Sequence, residues 1–330
     1  MKKDFTLIVP TNRPEQFKEF ISSWEDLFNE NLDSIVVCVD LPQIPDEIMK
    51  ALAPLSCAKI VICQKDVPSW VPTKTDMIRS WGFIRAYGDT RGSYFVTLDD
   101  DVRVSTTGYF DSLREQFEQG TVLSEYLDVG ALTTSGLQMR GFPYKDRKRV
   151  DAAVQYGGWD GTLDYDAATQ LASPKGFESF YEIVMPVPKG AAVTCCIMNT
   201  AWLRVYTPIM WQLPMFEGRH NRVGDIWSGL FIKKTLDAVG QGLVINGKAN
   251  VCHERASNPY NSLVKESTSV WMNDNLWENL TNPELEIKEP GLIEAYKNVT
   301  DSAYEFFLKH DKDYAKHFIK CRNEWLKHFV

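Results

Sequence analysis

Short apolar runs alternate with longer amphipathic stretches through the first hundred residues. "FTLIVP" from Phe5, "SIVVCVD" from Ser34 and "AKIVICQ" from Ala58 are nearly continuous β-branched and aliphatic runs, the pattern of strands covered on both faces of a parallel sheet. Between the first two, "RPEQFKEFISSWEDLF" sets Phe17, Phe20, Ile21 and Trp24 on one stripe at helical spacing. A further helix is predicted over about Thr75 to Tyr87, with Met77, Trp81 and Ile84 on one face, before "SYFVTLDDD" supplies a fourth strand. This alternation predicts a doubly wound α/β fold. No G-x-G-x-x-G or Walker-type loop follows the first strand, which argues against a dinucleotide or P-loop protein.

From about Leu132 to Asn261 the pattern becomes irregular, with Gly, Pro, Trp and Tyr among short apolar runs; such regions often carry substrate contacts on a rigid scaffold. The last stretch is helical again. Ser302 to Glu305 reads as a capping box, and Tyr314, Phe318, Cys321 and Trp325 form an apolar stripe. There is no internal repeat and no low-complexity linker. The organisation predicted is a catalytic α/β domain over 1–265 and a helical C-terminal extension over 266–330.

Composition narrows the partners. Lys and Arg total 36 against 44 Asp and Glu, a net charge of −8, so nucleic acid and anionic membrane are not expected as partners and a polyanionic ligand needs a local basic patch or a metal. The apolar run Phe5 to Val9 is too short for a signal peptide, and nothing approaches a membrane span, so a cytoplasmic location is expected. In that compartment the sequons at Asn279 and Asn298 carry no meaning. Seven irregularly spaced cysteines, with Cys195 and Cys196 adjacent, predict reduced and mostly buried thiols.

The candidate chemistry lies where the fourth strand ends on Asp99, Asp100 and Asp101. If the strand stays extended, Asp99 and Asp101 point to one side at the carboxyl edge of the sheet, the edge where open α/β sheets bind ligands. Converging carboxylates there suit Mg²⁺ or Mn²⁺ bridging phosphate oxygens; the plainer alternative is an acidic turn. Asp40 ends the second strand and Thr11-Asn12-Arg13 leaves the first, placing polar groups where a nucleotide could lie. His253 follows another apolar run. In "MRGFPYKDRKRV", Arg140, Lys145, Arg147, Lys148 and Arg149 face one acid, Asp146, as a solvated basic loop or a diphosphate clamp.

The blocks "VPTNRP", "DMIRSWGFIRA", "TLDDDV", "MRGFPYKDR", "LDYDAATQL", "VPKG", "MNTAW", "GDIWSG" and "HERASNP" resemble the reversibly glycosylated polypeptides, also known as UDP-arabinopyranose mutases, from about residue 5 to 265. The resemblance implies a nucleotide-sugar-transferase fold of the GT-A type, a mostly parallel Rossmann-type sheet flanked by helices. It implies that Asp99 and Asp101 of the D-x-D motif, with His253, hold Mn²⁺ or Mg²⁺ on the diphosphate. Thr11, Arg13, Asp40, Asp76, Arg79 and Asp100 would bind the nucleotide, Asp100 through ribose or ligand water. Asp225 would face the sugar or acceptor, a role compatible with capping the helix that begins at Ile226. Family members carry a further Asp where this chain has Gly224.

By the same resemblance Arg140 carries a transient sugar and Arg147 is also required. A guanidinium is protonated far above neutral pH and has no lone pair to offer, so this role needs a supporting carboxylate or a strongly oxocarbenium-like sugar. Asp164 and Asp166 are candidates for that carboxylate, or for binding sugar hydroxyls. Trp159 and Tyr165 are expected to line the sugar pocket. The function implied is metal-dependent interconversion of UDP-L-arabinopyranose and UDP-L-arabinofuranose through a glycosyl-arginine. The alternatives are a glycosyltransferase of the same fold with an external acceptor, and a self-glycosylating sugar-nucleotide-binding component. A UDP-sugar is the expected partner, and a homo-oligomer is left open.

Overall fold

The β-branched runs form the parallel half of one large sheet. The computed structural model describes residues 2–75, 77–133, 137–162, 165–173, 176, 178–216, 218–220, 222–254, 258–280 and 291–330. Strands β1 (Phe5–Thr11), β2 (Leu32–Val39), β3 (Ala58–Cys63) and β4 (Tyr94–Leu98) lie side by side in parallel, in the order β3-β2-β1-β4. Helices α1 (Pro14–Asn31), α2 (Asp46–Leu52) and α3 (Ile78–Asp89) supply the crossovers. Pro14 opens α1 at a position where a missing N–H costs nothing. Helix α3 starts later than the periodicity predicts because the Thr75 hydroxyl accepts from Met77 N at 3.0 Å, a local turn that competes with helix.

Beyond β4 the sheet becomes mixed, through β5 (Val102–Val104), β8 (Ala152–Gly161), β9 (Val184–Pro186), β10 (Asn199–Leu203) and β11 (Gly242–His253), in the continuing order β10-β8-β11-β5 with β9 also on β11. Helix α4 (Tyr109–Gln119) follows β5, and the short pair β6 (Thr121–Val122) and β7 (Arg149–Val150) brackets the basic loop. Four further elements matter below: α5 (Ala167–Ala172), α6 (Gly224–Ala238), α7 (Pro259–Glu266) and α8 (Val270–Asn279). The α/β class with helices on both sheet faces is as expected. The stretch expected to be irregular instead holds three long or central strands and α6.

Each face has its own apolar core. Phe5, Leu7 and Val9 pack with Trp24, Phe28 and Phe110 on one side. Ile8, Val36 and Cys38 share the other with Phe83, Trp202, Trp227 and Phe231. Helices α9 (Leu292–His310) and α10 (Lys312–Leu326) join this second cluster through Phe307, Tyr314, Phe318 and Trp325. The predicted stripe on α10 is buried; the predicted capping box is not one. Ser302 lies inside α9, its hydroxyl donating to Val299 O, and the cap belongs to Asp311, which accepts from Tyr314 N. All seven cysteines are unbridged and six are buried. Among the described residues no helix is long and apolar enough to cross a membrane.

Candidate active site

Four parallel strands deliver their carboxyl ends to one edge, and the polar residues after them meet there. β4 stops at Leu98, and Asp99 to Asp101 leave it in a turn in which Val102 N donates to Asp99 O. The strand alternation expected for Asp99 and Asp101 therefore does not apply. Each carboxylate meets a cation instead: Arg79 donates to Asp99 Oδ1 at 2.5 Å, and Arg13 bridges Asp100 and, at 3.1 Å, Asp101. Thr11 Oγ1 donates to the second Asp100 oxygen at 2.7 Å. Burial pushes the Asp100 carboxyl up, against the pull of Thr11 and Arg13. Burial also acts to lower the Arg13 guanidinium, but Asp100 and Asp101 outweigh it and raise it.

A pocket of about 300 Å³ opens here, lined by Thr11, Asn12, Arg13, Asp40, Arg79, Asp99 and Asp100. Asp40 is buried, and its Oδ1 accepts from Lys74 N and Gln64 Nε2, both at 2.8 Å, so it also fixes the far wall. That wall adds Lys74 and Thr75, which sequence reasoning did not select. The polar run "TKT" just before an edge-facing helix was the available signal. Lys74 has a φ of 63°, one of three positive-φ non-glycine residues among those described; the others, His220 at 55° and Arg222 at 65°, precede α6. Such backbone costs energy and collects at functional sites.

His253 ends β11 beside this edge. Its Nδ1 lies 2.7 Å from Thr162 O, and because a carbonyl can only accept, the ring carries its proton on Nδ1. The other ring nitrogen, Nε2, faces Asp101 Oδ1, 3.9 Å away. Trp159 is half-buried on β8 with Tyr156 and Phe180 around it, and the Tyr165 hydroxyl donates to Glu178 at 2.9 Å; neither ring lies deep in the core. Asp166 caps α5, accepting from Thr169 N at 3.0 Å and from its hydroxyl at 2.5 Å; the hydroxyl bond chiefly holds its pKa below the usual carboxylate range.

Asp225 stands in the first turn of α6, where its Oδ1 accepts from Ile226 N at 3.0 Å. Its charge is felt by the buried Cys195 thiol and Tyr156 hydroxyl. Cys195 leads to Ile197 and Met198, whose carbonyls accept from Arg79 and Asp99 N, so Asp225 belongs to the same edge. At Gly224 a Cβ would sit 2.8 Å from Leu213 O, which explains why this backbone accommodates glycine there.

Arg140 and Arg147 are not brought to these carboxylates. Their loop is anchored by β6 and β7 at the start of β8, and Val154 of β8 is level, through Trp202, with Phe95 near the start of β4. Asp146 accepts from Ser124, Ser124 O from Lys189 N, and Gly190 N donates to Asp237 at the far end of α6. The loop thus lies at the amino edge of the parallel strands, opposite the pocket. Arg140 is exposed there; Arg147 donates to Phe142 O and stacks 3.9 Å from the Tyr144 ring centroid. Asp76 and Asp164 lie outside the described residues. Among the described residues no three His, Cys, Asp or Glu side chains converge into a cage for a metal, so the trio Asp99, Asp101 and His253 is not assembled as expected: Arg79 and Arg13 hold the two carboxylates.

The profile of the family described as "Reversibly glycosylated polypeptide" matches residues 1–329. A probable UDP-arabinopyranose mutase 4 of Arabidopsis thaliana is 26% identical over 344 aligned residues, covering 96% of this chain and 88% of the relative. UDP-arabinopyranose mutase 1 of the same plant is 34% identical across 62% of this chain and 59% of its own length. Among solved structures, glucosyl-3-phosphoglycerate synthase from Mycobacterium tuberculosis with Mg²⁺ and UDP gives a TM-score of 0.46 at 13% identity, covering 82% of this chain and 79% of that one.

Proposed function

The chain belongs to the reversibly glycosylated polypeptide family, and from that membership we propose that it is a metal-dependent UDP-sugar mutase interconverting UDP-L-arabinopyranose and UDP-L-arabinofuranose. The observation that carries the proposal is the pocket edge where Thr11, Arg13, Asp40, Arg79, Asp99 and Asp100 meet, with Asp101 and His253 beside them. Relatives named as UDP-arabinopyranose mutases support the substrate.

The donor set fits a hard divalent cation, Mn²⁺ or Mg²⁺. His253 Nε2 and Asp101 Oδ1 face each other across 3.9 Å, an imidazole nitrogen and a carboxylate oxygen of the kinds such ions take. Asp101 and His253 would hold the ion, and Asp99 would join them on releasing Arg79. A cation bound there supplies positive charge for the departing diphosphate. Arg13 and Arg79 line the pocket and add to it, exchanging their carboxylate partners for phosphate oxygens.

The ring change balances without a co-reactant. The bond from C1 to the diphosphate oxygen breaks and later re-forms, the C1–O5 bond is replaced by C1–O4, and one proton passes from the O4 hydroxyl to O5. Asp225, at the start of α6 on this edge, is the carboxylate we assign to that proton. Asp166 serves this less well, because the Thr169 bonds that lower its pKa weaken it as a base. Incubation with UDP-arabinopyranose and Mn²⁺, followed by chromatography of the ring forms, tests the assignment: equilibration supports it, and consumption only with an added acceptor makes the chain a transferase.

From the exposed position of Arg140 on the opposite edge we infer, as a second reading, that a sugar carried on it is transferred between molecules. An Arg140→Ala chain mixed with an Asp101→Asn chain should then label the Asp101→Asn chain on Arg140. Label confined to chains carrying both residues would instead require Arg140 to reach its own pocket.

A further inference from the structure

Two of the three positive-φ non-glycine residues among those described lie in the approach to α6, and both are held by residues of the chain after 265. His220 is buried, with Nδ1 2.9 Å from Ser269 Oγ and Nε2 3.2 Å from Asp311 Oδ2. Arg222 donates through Nε to Glu266 Oε1 at 3.0 Å. Glu266 is 8% exposed, and its other oxygen accepts from Ala167 N at 2.8 Å. One buried carboxylate thus ties three segments together: the first residue of α5, the end of α7 and the strained residue three positions before Asp225. The α5 side of this tie is joined to the pocket edge, since Thr162 N donates to His253 O at 2.9 Å and Thr162 O accepts from the His253 ring.

A carboxylate buried to this degree is expensive unless its charge and lone pairs are answered. A solvated Arg222 would not need that investment. Glu266 takes the inner nitrogen, Nε, and so fixes the plane of a guanidinium whose side chain keeps 30% of its surface exposed. A planar, oriented and accessible guanidinium between the starts of α5 and α6 is suited to a phosphate oxygen.

We propose that Arg222 binds the sugar-proximal phosphate of a nucleoside diphosphate or its sugar ester, and that Glu266 is its positioning residue. The proposal rests on the nucleotide-sugar assignment above. It adds a cation from the approach to α6 to Arg13 and Arg79, which line the pocket.

Calorimetric titration with UDP and with UMP, both with Mn²⁺, tests this without relying on turnover. Arg222→Gln should weaken UDP by about tenfold and leave UMP nearly unchanged, since only the second phosphate loses its partner. Arg222→Lys should recover part of the loss. Glu266→Gln should weaken UDP selectively too, and the double variant should be no worse than Arg222→Gln alone, because Glu266 acts through Arg222. Unchanged UDP affinity in Arg222→Gln, or equal losses for UDP and UMP, overturns the phosphate contact; additive losses in the double variant overturn the positioning role. A wild-type chain that binds UDP but leaves the arabinose ring forms unequilibrated refutes the mutase assignment, while the UDP and UMP comparison still decides Arg222.

Discussion

Asp100 shows how the candidate site trades stability for charge. Its carboxyl is buried and pushed up, so the folded state binds that proton more tightly than the unfolded chain does. The associated stability is therefore present below the ordinary carboxylate range, near pH 4, and is lost as pH rises through the shifted value. Asp100→Asn removes this loss. Unfolding midpoints from pH 3 to 7 should show the variant gaining on wild type as pH rises; a flat or opposite trend refutes the account. His220 carries the reverse sign. Burial lowers its pKa, so its contribution is present at pH values above about 6.5 and lost as pH falls below that. His220→Asn should flatten this acid-side loss in thermal unfolding, and an unchanged profile would show that other groups cause it.

At the scale of elements, the start of α6 holds Gly224 where the family resemblance leads one to expect an aspartate. Gly224→Asp restores the missing carboxylate in sequence, yet its Cβ would press on Leu213 O at 2.8 Å. We predict a destabilisation of about 1–3 kcal/mol by chemical denaturation and no gain in ring interconversion; a stable, faster variant would contradict this. The strands explain what the sequence could reveal. β1, β2 and β4 are legible because strands buried on both faces are continuous apolar runs, the half-exposed edge strand β3 keeps the run from Ile60 to Cys63, and their polar ends then mark the edge that gathers Thr11, Arg13, Asp40 and Asp99 to Asp101. β8 and β11 are not, because other side chains fill the space their own residues leave. A Cβ at Gly157 would lie 2.2 Å from the Asn199 amide, and one at Gly158 would strike Asn250 and the Phe180 ring. The pairing of β11 also slips between Asn246 and Val251, which destroys the two-residue period. Arg140 and Arg147 could not be located from sequence since a basic loop has no periodicity to fix its edge. Glu266 gave no signal because its partners, Ala167 and Arg222, are distant in the chain.

For the whole molecule, the C-terminal helices are part of the wall behind the site. Trp325 is fully buried in the cluster that includes Trp211, Trp227 and Phe231, and its indole N–H donates to Pro208 O at 2.7 Å. Trp325→Ala should cost about 3–5 kcal/mol in denaturant unfolding, and a loss below about 1 kcal/mol would mean that α10 is peripheral. The central claim is that ring interconversion takes place at the carboxyl edge with a divalent cation at Asp101 and His253. The measurement that tests it most directly is the ratio of UDP-arabinopyranose to UDP-arabinofuranose over time for wild type and Asp101→Asn, each with Mn²⁺ and with EDTA, on protein whose unfolding midpoint has been checked. The account predicts equilibration only for wild type with Mn²⁺, and a folded but inert Asp101→Asn. Equal rates in the variant, or in EDTA, would contradict it.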